Sequence, residues 1–569
     1  MNTDLSALPD DFACDVVVLG AGGAGMATAL CAAIAGLSVL LVESTEYVGG
    51  TTALSAGTIW VPNTIHAAGT DDTPERAAQF RDRAVGDHAP PALRRAFLAA
   101  CPAVSARLEA QSDVKLRAYR LHPDYMQELP GAALRGRALE PLPFDGNRLG
   151  AAFALLRPPI PEFTVLGGMM VDRADIAALL NMTRRPAALR HAVALLGRYA
   201  LDRISHQRGA RLVMGNALVG RLLASLLARG VRIVTRTELV ALRRQGAVRG
   251  PVNGVTLRHG AHSREVAARR GVVLATGGFN RHPARRAAWL RGVPAEHCAG
   301  APGHTGAAQD LALQAGAGFA PEGQENGFWA PVSLRRRPDG SQAVFPHFVM
   351  DRGKPGTVCV TAAGRRFVNE CIGYHDFVRA MFAAGGVPAF LLADAVALHR
   401  YGLGMARPMA RARGLRPMLA DGYLTEAASL AELAGKLAID GPALAEKVKE
   451  MHHFAAPGVA RAFGRGRPAS HRMNGDPNRP GNPNLGPIAT PPFYAIRLWP
   501  GDIGAARGLA TDARARVLDA AHAPIPGLYA AGNDMQSVMG GVYPAPGINL
   551  GPALVFAAIA ADQLARAAA

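Results

Sequence analysis

The first stretch of the chain alternates apolar runs with small residues in an order that predicts a βαβ unit. Asp15-Val16-Val17-Val18-Leu19 is an unbroken apolar run after one acid, the pattern of a strand buried on both faces. The turn Gly20-Ala21-Gly22-Gly23-Ala24-Gly25 follows, then an alanine-rich helix from Met26 to Ala35. A second apolar run, Ser38-Val39-Leu40-Leu41-Val42, is closed by Glu43. Strand, turn, helix and strand within about thirty residues form the unit from which parallel sheets are built.

Farther on, residues Asp175 to Arg232 turn helical and basic. Arg184, Arg185, Arg190, Arg198, Arg203, Arg208 and Arg211 interleave there with Val193, Leu195, Leu196, Tyr199, Leu201 and Ile204. Met214 to Leu227 reads as a helix before a strand at Val231 to Thr235, and Gly271 to Phe279 as a strand ending in glycines. Residues 297–489 change character, with more prolines, mixed strands and helices, and a polar loop at Asn474 to Pro487. The end returns to α/β grammar: a strand into Gly532-Asn533 and an apolar helix from Gly551 to Ala567. The expected fold is α/β. A discontinuous Rossmann-type domain is made of 1–296 and 490–569, with the basic helical insert at about 175–230, and an α+β catalytic domain, 297–489, is inserted in it.

Composition bounds the class of protein. A chain of 569 residues is too long for one core, and 49% apolar residues suit a folded protein rather than a disordered one. Sixty-two basic residues against 44 acidic give a net charge of +18. No zinc-finger spacing, aromatic RNA-binding motif or basic low-complexity arm accompanies it, so nucleic acid is not expected as a partner. The insert reads as a solvated helical cap, with peripheral docking on an acidic membrane surface as the alternative. Cys14, Cys31, Cys101, Cys298, Cys359 and Cys371 are scattered without a CxxC pair. Neither a disulfide framework nor a metal site is expected, and a reducing, cytoplasmic compartment fits. No basic segment followed by an apolar one opens the chain, so no secretory leader is expected. Glycines interrupt Val16 to Val42, so it does not read as a membrane span.

The glycine turn carries the first chemistry. In GxGxxG, Gly20 makes the tight turn, Gly22 lets backbone approach a pyrophosphate, and Gly25 lets helix pack on strand. Gly23 and Ala24 open the helix, whose N-terminus faces the phosphates. Glu43, 23 residues after Gly20, can accept from ribose hydroxyls. FAD rather than NAD follows from further small-residue loops, which an extended dinucleotide needs. These are Ser44 with Gly50-Thr51-Thr52 and Ser55-Ala56-Gly57, then Ala275-Thr276-Gly277, Gly532-Asn533, and Asn549-Leu550.

With these residues in view, the whole chain is similar to the fumarate reductase and succinate dehydrogenase flavoprotein superfamily. Within it, the motif Gly541-Val542-Tyr543-Pro544-Ala545-Pro546-Gly547 resembles that of the 3-ketosteroid Δ1-dehydrogenases. The resemblance implies a flavoenzyme that removes a proton beside a ketone while flavin N5 takes a hydride from the next carbon. Gly364-Arg365-Arg366-Phe367-Val368-Asn369-Glu370 matches a motif at the domain junction. Four residues past that glutamate, fumarate reductases place a proton-donating arginine; Tyr374 stands here, as the base does in the ketosteroid branch. Tyr125, in His122-Pro123-Asp124-Tyr125, resembles the tyrosine that hydrogen-bonds the base, with His122 where the family has another tyrosine. Tyr543 and the Gly547 N–H resemble the pair that holds the ketone oxygen. No histidine falls between Gly49 and Asn63, where succinate dehydrogenases link their flavin, so FAD is expected to be noncovalent. His304-Thr305-Gly306-Ala307-Ala308-Gln309-Asp310 departs from the usual Thr-Gly-Asp-Gly. The implied partners are a steroid or related apolar ketone and an external electron acceptor such as a quinone. A Δ4-dehydrogenase or enone reductase of the same superfamily is the alternative, and Tyr374 disfavours a dicarboxylate reductase.

Overall fold

In the computed structural model, residues 4–9, 11–246 and 250–567 are described. Residues 1–3 at the start of the expected FAD-binding part, and 568–569 at its end, lie outside them. The expected βαβ unit forms as β1 (Ala13–Leu19), α1 (Gly23–Ile34) and β2 (Val39–Val42), the helix starting three residues before Met26. Val16, Val17, Val18, Leu40 and Leu41 are fully buried, as strands covered on both faces require.

The basic stretch divides in two. Helices α2 (Arg173–Asn181) and α3 (Pro186–Ser205) stand outward and bury little: Leu195 and Tyr199 close over Met169 and Val171 in a small separate cluster. By contrast α4 (Met214–Ala228) is a core helix packed beside α1, with Leu218, Leu222 and Leu226 fully buried. The insert expected at about 175–230 therefore ends before Met214, because α4 is apolar on nearly every face and belongs under the sheet.

The chain then lays down β3 (Arg232–Val234), β4 (Glu238–Arg244), β5 (Val252–His259) and the long β6 (His262–Leu274). A second sheet follows from β7 (Gly327–Arg336), β8 (Gln342–Pro346) and β9 (Thr357–Val360). Helix α5 (Tyr374–Ala383) precedes β10 (Ala389–Asp394), β11 (Thr425–Ala427) and β12 (Phe493–Ala505). Last come β13 (Arg516–Leu518), β14 (Pro524–Ala530) and α6 (Leu550–Arg566), which packs on α1.

The first sheet has eight strands, ordered β3-β2-β1-β6-β5-β4, with β14 pairing β6 and β13 pairing β14. Its β3, β2, β1, β6 and β14 run parallel, and β6 continues beyond them into an antiparallel hairpin with β5. The second sheet is antiparallel, ordered β8-β7-β12-β10-β9, with β11 also on β12. Because β12 is its central strand, the second sheet extends to Ala505, beyond the expected boundary at 489. The chain regains the first sheet only at Arg516.

Candidate active site

The carboxyl ends of the parallel strands open on one large cavity, bordered by Leu19, Val42, Ala275 and Gly532, where open α/β sheets bind their ligands. The expected cofactor residues converge there. Gly20, Gly22, Gly23, Ala24, Glu43, Ser44, Gly50, Thr51, Thr52, Ser55, Ala56, Gly57, Ala275, Thr276, Gly277, Gly532, Asn533, Asn549 and Leu550 all line it. Gly25 does not: an added methyl there would strike the Gly20 carbonyl, so it serves helix-to-turn packing. Gly20 has φ of +97°, and a side chain would run into the Ala275 carbonyl.

These residues fit FAD. Gly22, the N-cap of α1, offers no capping side chain, and although the Gly23 N–H donates to Thr52 Oγ1 at 3.1 Å, the rest of the first turn is left for a pyrophosphate. Glu43 accepts from the Ala21 N–H at 2.9 Å and from the Thr45 N–H and hydroxyl at 2.9 and 2.8 Å. The carboxylate is thereby fixed with its charge toward the cavity. His304 also lines this half; its Nε2 stands 3.2 Å from Thr51 Oγ1, while its buried Nδ1 has no partner. Burial, then Arg281 and Arg157, lowers its pKa to about 4, so the ring is neutral. An orphaned ring nitrogen in this wall is what a polar cofactor would satisfy.

The other half of the cavity is lined by Tyr125, Tyr374, Tyr543 and Gly547. Tyr374 packs against Tyr543 at 4.9 Å and edge-on to Tyr125 at 5.9 Å between ring centroids, and Tyr125 lies near-parallel to Tyr543 at 6.3 Å. Burial, then the neighbouring phenols, pushes the Tyr374 hydroxyl well above its ordinary value. Burial also raises Tyr125 and pushes Tyr543 up to about 12. All three are protonated at neutral pH. Gly547 has φ of +84°, its carbonyl accepts from the Trp60 N–H at 3.1 Å, and its own N–H has no partner among the described residues.

Buried charges hold these residues in place. Tyr374 is the first residue of α5, and Arg352 fixes the backbone before it by donating to the carbonyls of Glu370 at 2.8 Å and Ile372 at 3.3 Å. The Glu370 carboxylate, fully buried, pairs with Arg366 at 2.6 Å and Arg465 at 3.0 Å. Burial works against its charge, and the two guanidiniums outweigh burial and lower its pKa to about 2. Asp124, beside Tyr125, accepts from the Trp60 indole at 2.9 Å and from Arg137 at 2.8 Å, and Arg137 also holds Asp72 at 2.6 Å.

Several site residues were not among the sequence candidates. His122 lines the cavity and meets Tyr119 edge-on at 4.7 Å; burial takes its pKa down to about 3. His304 had a signal, since it opens the departing His-Thr-Gly-Ala-Ala segment. Asp310 in that segment turns away from the cavity to pair with Arg285 and His282. Arg173 also lines the cavity, at the start of α2. Nothing in its sequence neighbourhood marks it.

A two-domain α/β architecture with a dinucleotide cradle facing a cluster of phenols defines a flavoprotein. The profile of the FAD binding domain family matches residues 15–550. The 4-oxocyclohex-2-ene-1-carboxylate 5-dehydrogenase of Sinomonas cyclohexanicum is 36% identical across 98% of this chain and 94% of its own. The 3-oxosteroid 1-dehydrogenase of Mycolicibacterium smegmatis is 34% identical across 98% of each. Among solved structures, the 3-ketosteroid Δ1-dehydrogenase of Sterolibacterium denitrificans, in complex with 1,4-androstadiene-3,17-dione, superimposes with a TM-score of 0.89. The two share 32% identity, covering 97% of this chain and 99% of that one. The chain belongs to the 3-ketosteroid Δ1-dehydrogenase family within the FAD-binding flavoproteins, and it is an FAD-dependent oxidoreductase.

Proposed function

We propose that the protein introduces a C1–C2 double bond into a 3-ketosteroid or a related ring ketone. The observation that carries this is the meeting of Tyr374, Tyr125, Tyr543 and Gly547 in the cavity that also holds the dinucleotide cradle. Tyr543 and the Gly547 N–H hold the ketone oxygen, and they favour the charge that grows there as the neighbouring proton leaves. Tyr374, once ionised, takes that proton from C2 and becomes the neutral phenol, and Tyr125 donates to the Tyr374 phenolate before the transfer. Noncovalently bound FAD supplies the oxidant for the hydride lost from C1. Stiff flanking prolines, Pro544 and Pro546, keep Tyr543 and Gly547 set before substrate arrives. An external acceptor such as a quinone then removes the electrons.

Anaerobic mixing with 4-androstene-3,17-dione tests the reading: flavin absorbance should bleach as a product two hydrogens lighter forms. Unchanged flavin sinks it. The substrate 5α-androstane-3,17-dione offers both ring-A bonds, and desaturation at C4–C5 alone would assign the protein to the Δ4 class instead.

A second reading concerns location. On α3 the outward stripe of Leu189, Val193, Leu201 and Ile204 is 46%, 60%, 68% and 80% exposed, beside exposed Arg184, Arg185 and Arg190. Apolar and cationic groups on one free face suit peripheral docking on an anionic membrane surface. No helix among the described residues is long and apolar enough to cross a membrane. All six cysteines are buried free thiols, which supports work in the reducing cytoplasm.

A further inference from the structure

Arg173 stands on the wall of the substrate cavity with no ion pair or hydrogen bond among the described residues. The adjacent acids are already engaged. Asp172 caps the N–H groups of Ala174 and Asp175, at 2.9 and 3.0 Å, and faces Arg211. Asp175 pairs with His191 and Arg211, each at 2.8 Å. Arg173 also opens α2, where the helix dipole disfavours a cation. Its placement thus gains nothing from its own helix.

The cavity is short of countercharge. Glu43 is the single acid among the described residues lining it, and that carboxylate is tied to Ala21 and Thr45 in the cofactor half. The other lining guanidinium, Arg157, is likewise in that half, donating to Thr45 at 2.7 Å. Tyr374 and Tyr543 are buried, whereas Arg173 is open to solvent. The substrate half therefore runs from a floor of phenols to a mouth bearing one unpaired cation. The field of Arg173 reaches the phenols, since it acts to lower the pKa of both Tyr119 and Tyr125.

Building on the proposed ring-ketone dehydrogenation, we propose that Arg173 receives a carboxylate carried by the substrate at the end remote from its ketone. The preferred substrates are then keto acids. A guanidinium binds a carboxylate through paired N–H donors, and a neutral ester of the same shape forfeits that charge-assisted contact. Two sources share this chemistry: a single-ring keto acid, and a polycyclic ketone with an acidic side chain.

The test uses FAD-loaded protein and two matched pairs, 4-oxocyclohexane-1-carboxylate with its methyl ester and 3-oxochol-4-en-24-oic acid with its methyl ester. Anaerobic flavin reduction gives kcat/KM for each, with 4-androstene-3,17-dione run alongside. In one pair the acid should exceed its ester by about tenfold, as expected of one charge-assisted contact at a solvent-open mouth. That pair identifies the source. Arg173→Gln should bring the ratio close to one, and Arg173→Lys should retain part of it. Because the ratio is taken within one variant, a general loss of folding or flavin cancels. A ratio near one in both pairs for the unaltered protein, or one that survives Arg173→Gln, overturns the assignment. If androstenedione alone bleaches the flavin, the dehydrogenase reading stands and the keto-acid inference falls. If none of the five compounds does, both fall.

Discussion

The backbone N–H of Tyr125 donates to the carbonyl of Pro544 across 2.7 Å. The Met126 N–H reaches the same oxygen at 3.3 Å. Two segments more than four hundred residues apart are thereby joined at the cavity wall. One carries the phenol beside the proposed base, and the other carries the groups proposed to hold the ketone. Asp124 anchors the first segment through Trp60 and Arg137, so the register of Tyr125 against Tyr543 rests on buried charge as well as on this backbone bond.

Removing only the Tyr374 hydroxyl should separate chemistry from binding. Tyr374→Phe is expected to slow flavin reduction by a 3-ketosteroid by about 10²–10⁴, the usual cost of losing a general base, while FAD stays bound. Tyr543→Phe should weaken both substrate binding and rate, because its contact strengthens as charge develops on the ketone oxygen. Anaerobic stopped-flow on both variants distinguishes them. A Tyr374→Phe rate close to that of the unaltered protein would remove Tyr374 from the base role.

The raised pKa of Tyr374 fixes the direction of the pH profile. The phenol must give up its proton to serve as base, and burial holds that proton on through neutral pH. The log of kcat/KM should therefore climb with pH through the alkaline range with a slope of about one. A flat profile between pH 7 and 10 counts against a phenol base.

Glu370 predicts a stability effect at a distance from the chemistry. Its folded pKa, about 2, lies below the ordinary carboxyl value of 4.5. Its contribution is therefore complete above pH 4.5 and disappears as pH falls toward 2. Glu370→Ala leaves Arg366 and Arg465 buried without their anion and should cost about 3–5 kcal/mol in chemical denaturation at pH 7. An unchanged midpoint would contradict the pairing.

Glu43→Ala should weaken FAD retention by about tenfold or more, since the proposed ribose contact is a charge-assisted one. Equilibrium dialysis of the flavin reads this directly. Acid precipitation should release the yellow colour, and colour left in the pellet would mean a covalent link.

If α3 docks on membrane, the protein should sediment with anionic vesicles at low salt and leave them at high salt. Equal sedimentation with neutral vesicles would show that charge plays no part. Leu201→Glu with Ile204→Glu should abolish sedimentation, because both side chains are largely exposed and their replacement leaves the core intact.

Much of this was legible in the chain because it is local. The apolar run before Gly20, the glycine spacing and the position of Glu43 are short-range signals, and each took its expected place. Tyr374, Tyr125 and Tyr543 were found through motifs and meet in one cavity. The boundary expected at 489 falls before the strand Phe493–Ala505, because a junction strand reads the same for either sheet and only its partners, β7 and β10, decide. Helix α4 was grouped with the basic insert by adjacency, although its own apolar surface already set it apart. Arg173 was missed because its meaning is long-range. Its isolation depends on Arg211 and His191 having claimed the neighbouring acids, which one-dimensional spacing does not reveal.

The lateral pairing of β6 with β14 also governs when the protein can become itself on the ribosome. Val272, Val273 and Leu274 lie beside Leu528, Tyr529 and Ala530, and Gly532, Asn533, Asn549 and Leu550 complete the cavity. For the synthesis of some two hundred and fifty residues, the growing chain holds a parallel sheet whose far edge lacks its neighbour. The nascent polypeptide is thus a waiting half-site, vulnerable along that edge, and it can hold a flavin only after Asn549 and Leu550 have been made.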